Sequence, residues 1–134
     1  MAKAEYVSWL TKAFDDLSWT KANIKGGIWY GACFSAQQAA EKALKAYLLY
    51  KGKRLKKIHS LVALLEECRE LDPSFEKLRT RCARLTVYYV TTRYPDIIDF
   101  AEFSKEKAVE ALELAKRVVG FVEEKFVEEK TKKE

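Results

Sequence analysis

Residues 29–50 constrain the fold of this chain more than any other segment, because they combine low polarity with alanines at helical spacing. The alanines recur at steps of three and four, at Ala32, Ala36, Ala39, Ala43 and Ala46. Side chains three or four residues apart share one face of a helix, and alanine lets a second helix approach closely. The pattern therefore predicts a central helix from Trp29 to Tyr50 that stops at Gly52.

The rest of the chain shows the same periodicity, which predicts helices at about 3–23, 60–71, from 74 towards the proline at 95, and 104–129. Only 5 glycines and 2 prolines occur in 134 residues, too few for the many turns of an all-β fold. We therefore predict an all-α fold, an up-and-down helical bundle of four long helices and one short helix. It forms one domain over residues 1–130, followed by a polar tail at 131–134.

The first predicted helix has an apolar face that three aromatic side chains broaden. The face consists of Tyr6, Leu10, Ala13, Leu17 and Thr20. The aromatic side chains are Trp9, Phe14 and Trp19. We expect this face to pack into the bundle, and Gly26-Gly27 to end the helix.

Charge and cysteine content limit the class of function. A net charge of +5 suits a phosphate-bearing partner but is low for a dedicated duplex-DNA binder. Cys33, Cys68 and Cys82 form no CxxC pair and no Cys–His cluster, so they are predicted to be buried small side chains rather than zinc ligands. There is no apolar signal core and no apolar run near the roughly 20 residues that span a bilayer. We expect a cytoplasmic protein without membrane contact, metal or cofactor.

Catalytic motifs are not legible in the sequence. His59 is the only histidine, and no serine has a consistent histidine partner. Gly26-Gly27 and Gly31 lack the GxxxxGK pattern of a phosphate-binding loop.

A basic face on the fourth helix is the first candidate site. Lys77, Arg81, Arg84 and Tyr88 are spaced by four, three and four residues, so they share a face. That face leads to Arg93-Tyr94-Pro95-Asp96, where Pro95 forces the residue before it out of the helix. Arginine offers a planar fork for phosphate, and a tyrosine ring can stack on a base. The same residues could instead form a solvated face and an inter-helix corner.

Polar side chains on the central helix are the second candidate. Gln38, Glu41 and Lys42 lie three and four residues apart and can bond to one another. Polar groups on a central helix need partners. They either meet the arginines of the fourth helix in a closed network or form the exposed edge of their own helix.

Three segments together resemble the HEPN domain (higher eukaryotes and prokaryotes nucleotide-binding), in its small stand-alone prokaryotic form. They are residues 34–46, His59-Ser60-Leu61, and Arg93-Tyr94-Pro95-Asp96, and the likeness extends over roughly residues 5 to 125. The resemblance implies a helical bundle that forms a homodimer. It also implies a small nucleotidyltransferase as partner in a two-component toxin–antitoxin-like pair, and a role in nucleotide binding or metal-independent RNA cleavage.

The ribonuclease members of this family carry an arginine followed, after four to six residues, by a histidine. Here Arg84 matches the arginine, but the histidine positions hold Tyr89, Val90 and Thr91, and His59 lies on another element. A tyrosine with its usual pKa near 10 is a poor general base. The sequence therefore favours nucleotide binding, with a ribonuclease toxin and a purely structural module as the alternatives.

In the favoured interpretation, the predicted site combines cations with aromatic rings. Arg84 and Arg93 neutralise phosphate, with Lys77 and Arg81 on the same face, and Tyr88 or Tyr94 stacks on a base. Asp96 either orients Arg93 or caps the turn that follows.

Overall fold

The computed structural model describes residues 2–93 and 103–133 as a helical bundle. The five α-helices are α1 (Ala2–Lys25), α2 (Trp29–Tyr50), α3 (Leu61–Leu71), α4 (Arg79–Arg93) and α5 (Lys105–Lys133). The described residues contain no strand. The predicted all-α bundle of four long helices and one short helix is confirmed, although α5 continues past Glu129, where the sequence predicts its end.

Helix α2 is the centre of the bundle, as its alanines predict. It contacts all four of the other helices. All five alanines of the stripe are fully buried, as are Ala40 and Leu44. Small side chains on this helix bring the neighbouring backbones close, so one helix can serve as the shared core of the others.

Two glycines end the first two helices, because each takes a backbone conformation that other residues rarely adopt. Gly27 has φ 76° and Gly52 has φ 79°. The amide of Ile28 then donates to the carbonyl of Asn23, and the amide of Lys53 donates to that of Leu48. These bonds satisfy the last carbonyls of each helix. Both predicted helix ends are confirmed.

The connection from α3 to α4 differs from the expected single helical start near Ser74. Pro73–Leu78 form a 3-10 segment, and the α-helix begins only at Arg79. The Asp72 side chain accepts hydrogen bonds from the amide and the hydroxyl of Ser74, at 3.0 and 2.7 Å. This cap and the proline at the first position fix a tight turn. Apolar spacing alone does not separate a 3-10 turn from the first turn of an α-helix.

Exposed aromatic side chains are a further departure from the expected packing. On α1, Ala13, Leu17 and Thr20 are buried as predicted. Phe14 and Trp19, expected to broaden that buried face, are 38% and 48% exposed. The prediction was wrong because both lie at the edge of the buried face, where the neighbouring helices no longer cover them.

None of the helices in the described part of the chain is long and apolar enough to cross a membrane.

Candidate functional site

Helices α4 and α5 run antiparallel and leave an open groove between them. Arg84 meets Glu110 near one end, and the rings of Phe75 and Phe121 lie 4.9 Å apart near the other. The groove has a volume of about 270 Å³. It is lined by Lys77, Leu78, Arg81, Lys116, Arg117, Gly120, Phe121 and Glu124. We call this surface the cationic groove.

The cationic groove holds four cations and one carboxylate. Arg81 donates only to the backbone carbonyl of Lys77, at 3.1 Å, and Lys116 lies 3.6 Å from Glu113. Within residues 2–93 and 103–133, neither Lys77 nor Arg117 has an acidic side chain within ion-pair distance. Four cations with a single carboxylate among them raise the local potential and attract anions such as phosphate.

One turn beyond the groove, Arg84 and Tyr88 share a carboxylate of α5. The Oε1 atom of Glu110 accepts from Nη2 of Arg84 at 2.6 Å and from the hydroxyl of Tyr88 at 3.2 Å. Burial, followed by the charge of Glu110, raises the pKa of Tyr88 to about 12. The phenol therefore stays protonated at neutral pH, where it can donate a hydrogen bond but cannot accept a proton.

The structure brings together only part of the predicted nucleotide site. Lys77 and Arg81 lie in the cationic groove, while Arg84 and Tyr88 lie beside it at Glu110. The backbone of Arg93 ends α4. The side chain of Arg93, and Tyr94 and Asp96 as whole residues, lie outside the described residues.

The groove residues of α5 were missed at the sequence level. Lys116, Arg117 and Phe121 belong to a helix rich in lysine and glutamate, where a basic pair is not distinctive. Arg117, Phe121 and Glu124 are four and three residues apart, so they share a face of α5, and Lys116 lies beside that face. This spacing is the sequence signal that could have identified them. Only the packing of α5 on α4 places that face opposite Arg81.

The polar side chains of α2 form a separate cluster. Glu41 accepts from Lys45 Nζ at 3.1 Å, lies 3.3 Å from His59 Nδ1, and is reached by the Gln37 amide at 3.5 Å. We call these four residues the Glu41 cluster. Glu41 and Lys45 are only 4% and 6% exposed, and the Lys45 ammonium lies 5.7 Å from the ring of Trp9.

The side chains of the other predicted network residues, Gln38 and Lys42, also bond to partners on α1 or on their own helix α2. Lys42 pairs with Asp16 at 2.6 Å, and Gln38 donates to Gln37 at 2.6 Å. Gln38 and Glu41 are therefore joined through Gln37, whereas Lys42 pairs separately with Asp16 of α1, and among the described residues neither set includes the arginines of α4. Arg84, which could have joined them, is instead drawn to Glu110 of α5.

The three cysteines are buried, as predicted. Burial raises the pKa of Cys33 and of Cys82 to about 12, and it also raises that of Cys68. The thiols therefore remain protonated and unreactive. The described residues contain no group of three His, Cys, Asp or Glu side chains that could hold a metal ion.

Comparison with known proteins gives one family. The profile of the HEPN domain matches residues 6–125. The chain is 36% identical to TT1696 from Thermus thermophilus, whose crystal structure matches it with a TM-score of 0.83 over 90% of this chain and 97% of that one. It is 28% identical to ST0689, an archaeal HEPN homologue, with a TM-score of 0.75 over 90% and 96% of the two chains. Among curated proteins, no sequence matches.

Proposed function

The chain belongs to the HEPN domain family, and on this premise we propose that it binds a nucleotide and works beside a small nucleotidyltransferase in a toxin–antitoxin-like pair. The observation that carries the nucleotide-binding part is the cationic groove. It joins two cations that the sequence predicts, Lys77 and Arg81, to Lys116 and Arg117 of the facing helix.

The composition of the groove matches the chemistry of a nucleotide. Arg81 and Arg117 can each bind a phosphate through two parallel N–H donors. The Phe121 ring contacts Phe75 and has the Lys125 ammonium 5.1 Å from its centroid, and its remaining surface offers an apolar contact for a base, since stacking on aromatic rings tolerates every base. Arg84 and Tyr88 extend the site at one end, and Arg93, Tyr94 and Asp96 complete it after α4 in this proposal.

The protein partners in the proposal are a second copy of the chain and the nucleotidyltransferase. Support comes from apolar side chains exposed around the turn between α1 and α2. Trp19, Ile28 and Tyr30 are 48%, 45% and 50% exposed. Exposed aromatic side chains such as these are enriched at protein–protein interfaces.

The ribonuclease alternative has weaker support from the described side chains. The raised pKa of Tyr88 opposes a role as general base beside Arg84. His59 lies in the loop before α3 and contacts Glu41, whereas Arg84 pairs with Glu110 of α5. A toxin of this kind needs its base and its arginine at one phosphate.

The first test removes the two arginines of the cationic groove. We expect Arg81→Ala and Arg117→Ala each to weaken binding of adenosine 5′-monophosphate about tenfold, because each removes a charge-assisted contact to phosphate. Isothermal titration calorimetry measures the affinity. Arg54→Ala is the matched control, because Arg54 is an exposed arginine in the loop after α2 with no ion pair among the described residues.

The same proteins separate the alternatives. Equal affinity in all three variants would exclude the groove as the nucleotide site. Cleavage of single-stranded RNA without metal, abolished by Arg84→Ala, would favour the ribonuclease instead. Co-purification from the native cell tests the partnership, which fails if no nucleotidyltransferase is recovered.

A further inference from the structure

Gly120 lies in the middle of α5, and neither packing nor backbone conformation within the described residues explains why this position holds a glycine. It lies fifteen residues after the first residue of a helix that runs from Lys105 to Lys133. Glycine in a helix interior is destabilising relative to alanine, because the unfolded chain has more backbone freedom to lose. A glycine at such a position therefore needs either a close neighbour or an unusual backbone conformation to account for it.

Neither reason applies to Gly120. Among the described residues, a Cβ atom built on Gly120 would meet no heavy atom within 4 Å beyond its chain neighbours and the backbone of its own helix, and its φ is not positive. Gly31 is different, because its Cβ would lie 3.0 Å from the side chains of Asn23 and Ile28. Gly27 and Gly52 are required by their positive φ. Packing explains Gly31 and backbone conformation explains the turn glycines, but no described side chain occupies the space beside Gly120.

That space is part of the cationic groove. Gly120 lies between Arg117 and Phe121 in the sequence and lines the groove together with Arg81 and Glu124. Arg117 and Arg81 lie on one side of it, and Glu124 lies one turn further along α5 on the other side. Among the described residues, Glu124 has no cation within ion-pair distance. The groove therefore presents cations on both of its sides, Lys77 among them, together with an exposed stretch of helix backbone at Gly120 and one carboxylate, that of Glu124.

A nucleotide carries groups that complement these side chains. Its phosphate is an anion, its sugar is compact, and its sugar hydroxyls donate hydrogen bonds to a carboxylate, as in dinucleotide-binding folds. We propose that Gly120 is the floor of a ribose-phosphate subsite, with phosphate at Arg81 and Arg117 and the ribose hydroxyls at Glu124. The groove has a volume of about 270 Å³, which accommodates one sugar-phosphate unit. This inference rests on the proposed function and specifies which part of the ligand the groove binds.

Gly120→Ala gives a test in which stability and binding move in opposite directions. The added methyl group raises helix propensity and meets no side chain of the described residues, so the melting temperature should rise. It also occupies the sugar position, so affinity for adenosine 5′-monophosphate should fall at least tenfold. Affinity for inorganic phosphate, which needs only the arginines, should stay unchanged. Val109→Ala is the matched control, because it raises helix propensity at a 40% exposed position of the same helix.

A second variant tests the carboxylate end. The wild-type protein should bind adenosine 5′-monophosphate more tightly than its 2′-deoxy analogue, and Glu124→Gln should reduce that preference several-fold. If Gly120→Ala leaves nucleotide affinity unchanged while Arg81→Ala still lowers it, the ribose subsite is refuted and the proposed function stands. If the wild-type protein binds no nucleotide, both are refuted.

Discussion

The Glu41 cluster and the cationic groove both contain several charged side chains. The charges of the cluster are buried and paired, whereas those of the groove are exposed to solvent. In the Glu41 cluster a buried carboxylate faces a buried ammonium, an imidazole and an amide. In the cationic groove four cations face solvent with one carboxylate among them. The first arrangement satisfies its charges within the chain, and the second leaves them available.

This difference separates a structural from a binding role better than residue type does. Burying a charge is costly unless an opposite charge and hydrogen bonds compensate it. The Glu41 cluster meets that condition and fixes the loop before α3 on α2, since the Gln37 amide also donates to the carbonyl of His59 at 3.1 Å. Exposed like charges repel one another and weaken the fold slightly, so a group of them on facing helices points to an anionic ligand.

The largest expected effect comes from breaking the Glu41 cluster. Glu41→Ala leaves Lys45 buried without its partner, so we expect a loss of about 3–5 kcal/mol in the free energy of unfolding. Urea denaturation measures it, and nucleotide affinity should not change. Asp16→Ala is the control, because its partner Lys42 is 25% exposed and can turn to water. Equal losses in the two variants would contradict the distinction between buried and accessible charge.

The effect of salt should differ between the cationic groove and the Glu41 cluster, and it should be intermediate in size. Raising the salt concentration from about 50 mM to about 500 mM should weaken nucleotide binding to the cationic groove roughly tenfold, because exposed charges are screened. The stability difference between wild type and Glu41→Ala should change little, since buried pairs are screened much less. Calorimetric titrations and urea denaturation at both salt concentrations provide the two readouts. Salt-independent nucleotide binding would argue against a phosphate contact in the groove.

The smallest expected effect lies at the end of the groove, at Tyr88. Its pKa is raised to about 12, so the unfolded chain, with a tyrosine pKa of about 10, loses its proton first. The contribution of Tyr88 to stability is therefore present below about pH 10 and is lost as the pH rises towards about 12. Tyr88→Phe should cost at most about 1 kcal/mol at neutral pH and make the alkaline loss of melting temperature shallower.

Tyr50→Phe serves as the comparison for this alkaline effect. Burial and the nearby Glu129 raise the pKa of Tyr50 to about 12 as well, although Tyr50 lies on α2 away from the groove. Both variants should reduce the alkaline loss of stability, and only Tyr88→Phe should alter nucleotide affinity. An alkaline profile that Tyr88→Phe leaves unchanged would contradict the assigned environment of this phenol.

The sequence predicted the elements of the fold well where one physical cause dominates. The bounds of α2 follow from its apolar content and from Gly52, and the start of α5 follows from Ser104, whose hydroxyl accepts from the amide of Lys107 at 3.2 Å. The 3-10 segment after Pro73 was missed because two kinds of helix share the same apolar spacing. The exposure of Trp19 was missed because periodicity gives the direction of a side chain but not the width of the surface that covers it.

Only the α4 side of the candidate site was predicted from the sequence, and the groove residues of α5 were missed. The spacing of Lys77, Arg81, Arg84 and Tyr88 on one helix is local information, and a single sequence contains it. Their assignment to different neighbours is not local, because it depends on which turn of α5 lies opposite each of them. The structure pairs Arg84 with Glu110 and leaves Arg81 facing Lys116 and Arg117.

By itself the sequence determined the helices, the buried alanine face of α2 and the family, because helix periodicity and short motifs depend only on residues that are close together in the chain. The tertiary structure alone decided which charges are neutralised, since electrostatic energy depends on distances between residues far apart in sequence. The sequence shows that Glu41 and Arg117 are both charged residues of helices, but it does not show which of them is buried beside an opposite charge. Packing buries the first beside Lys45 and leaves the second exposed in a groove.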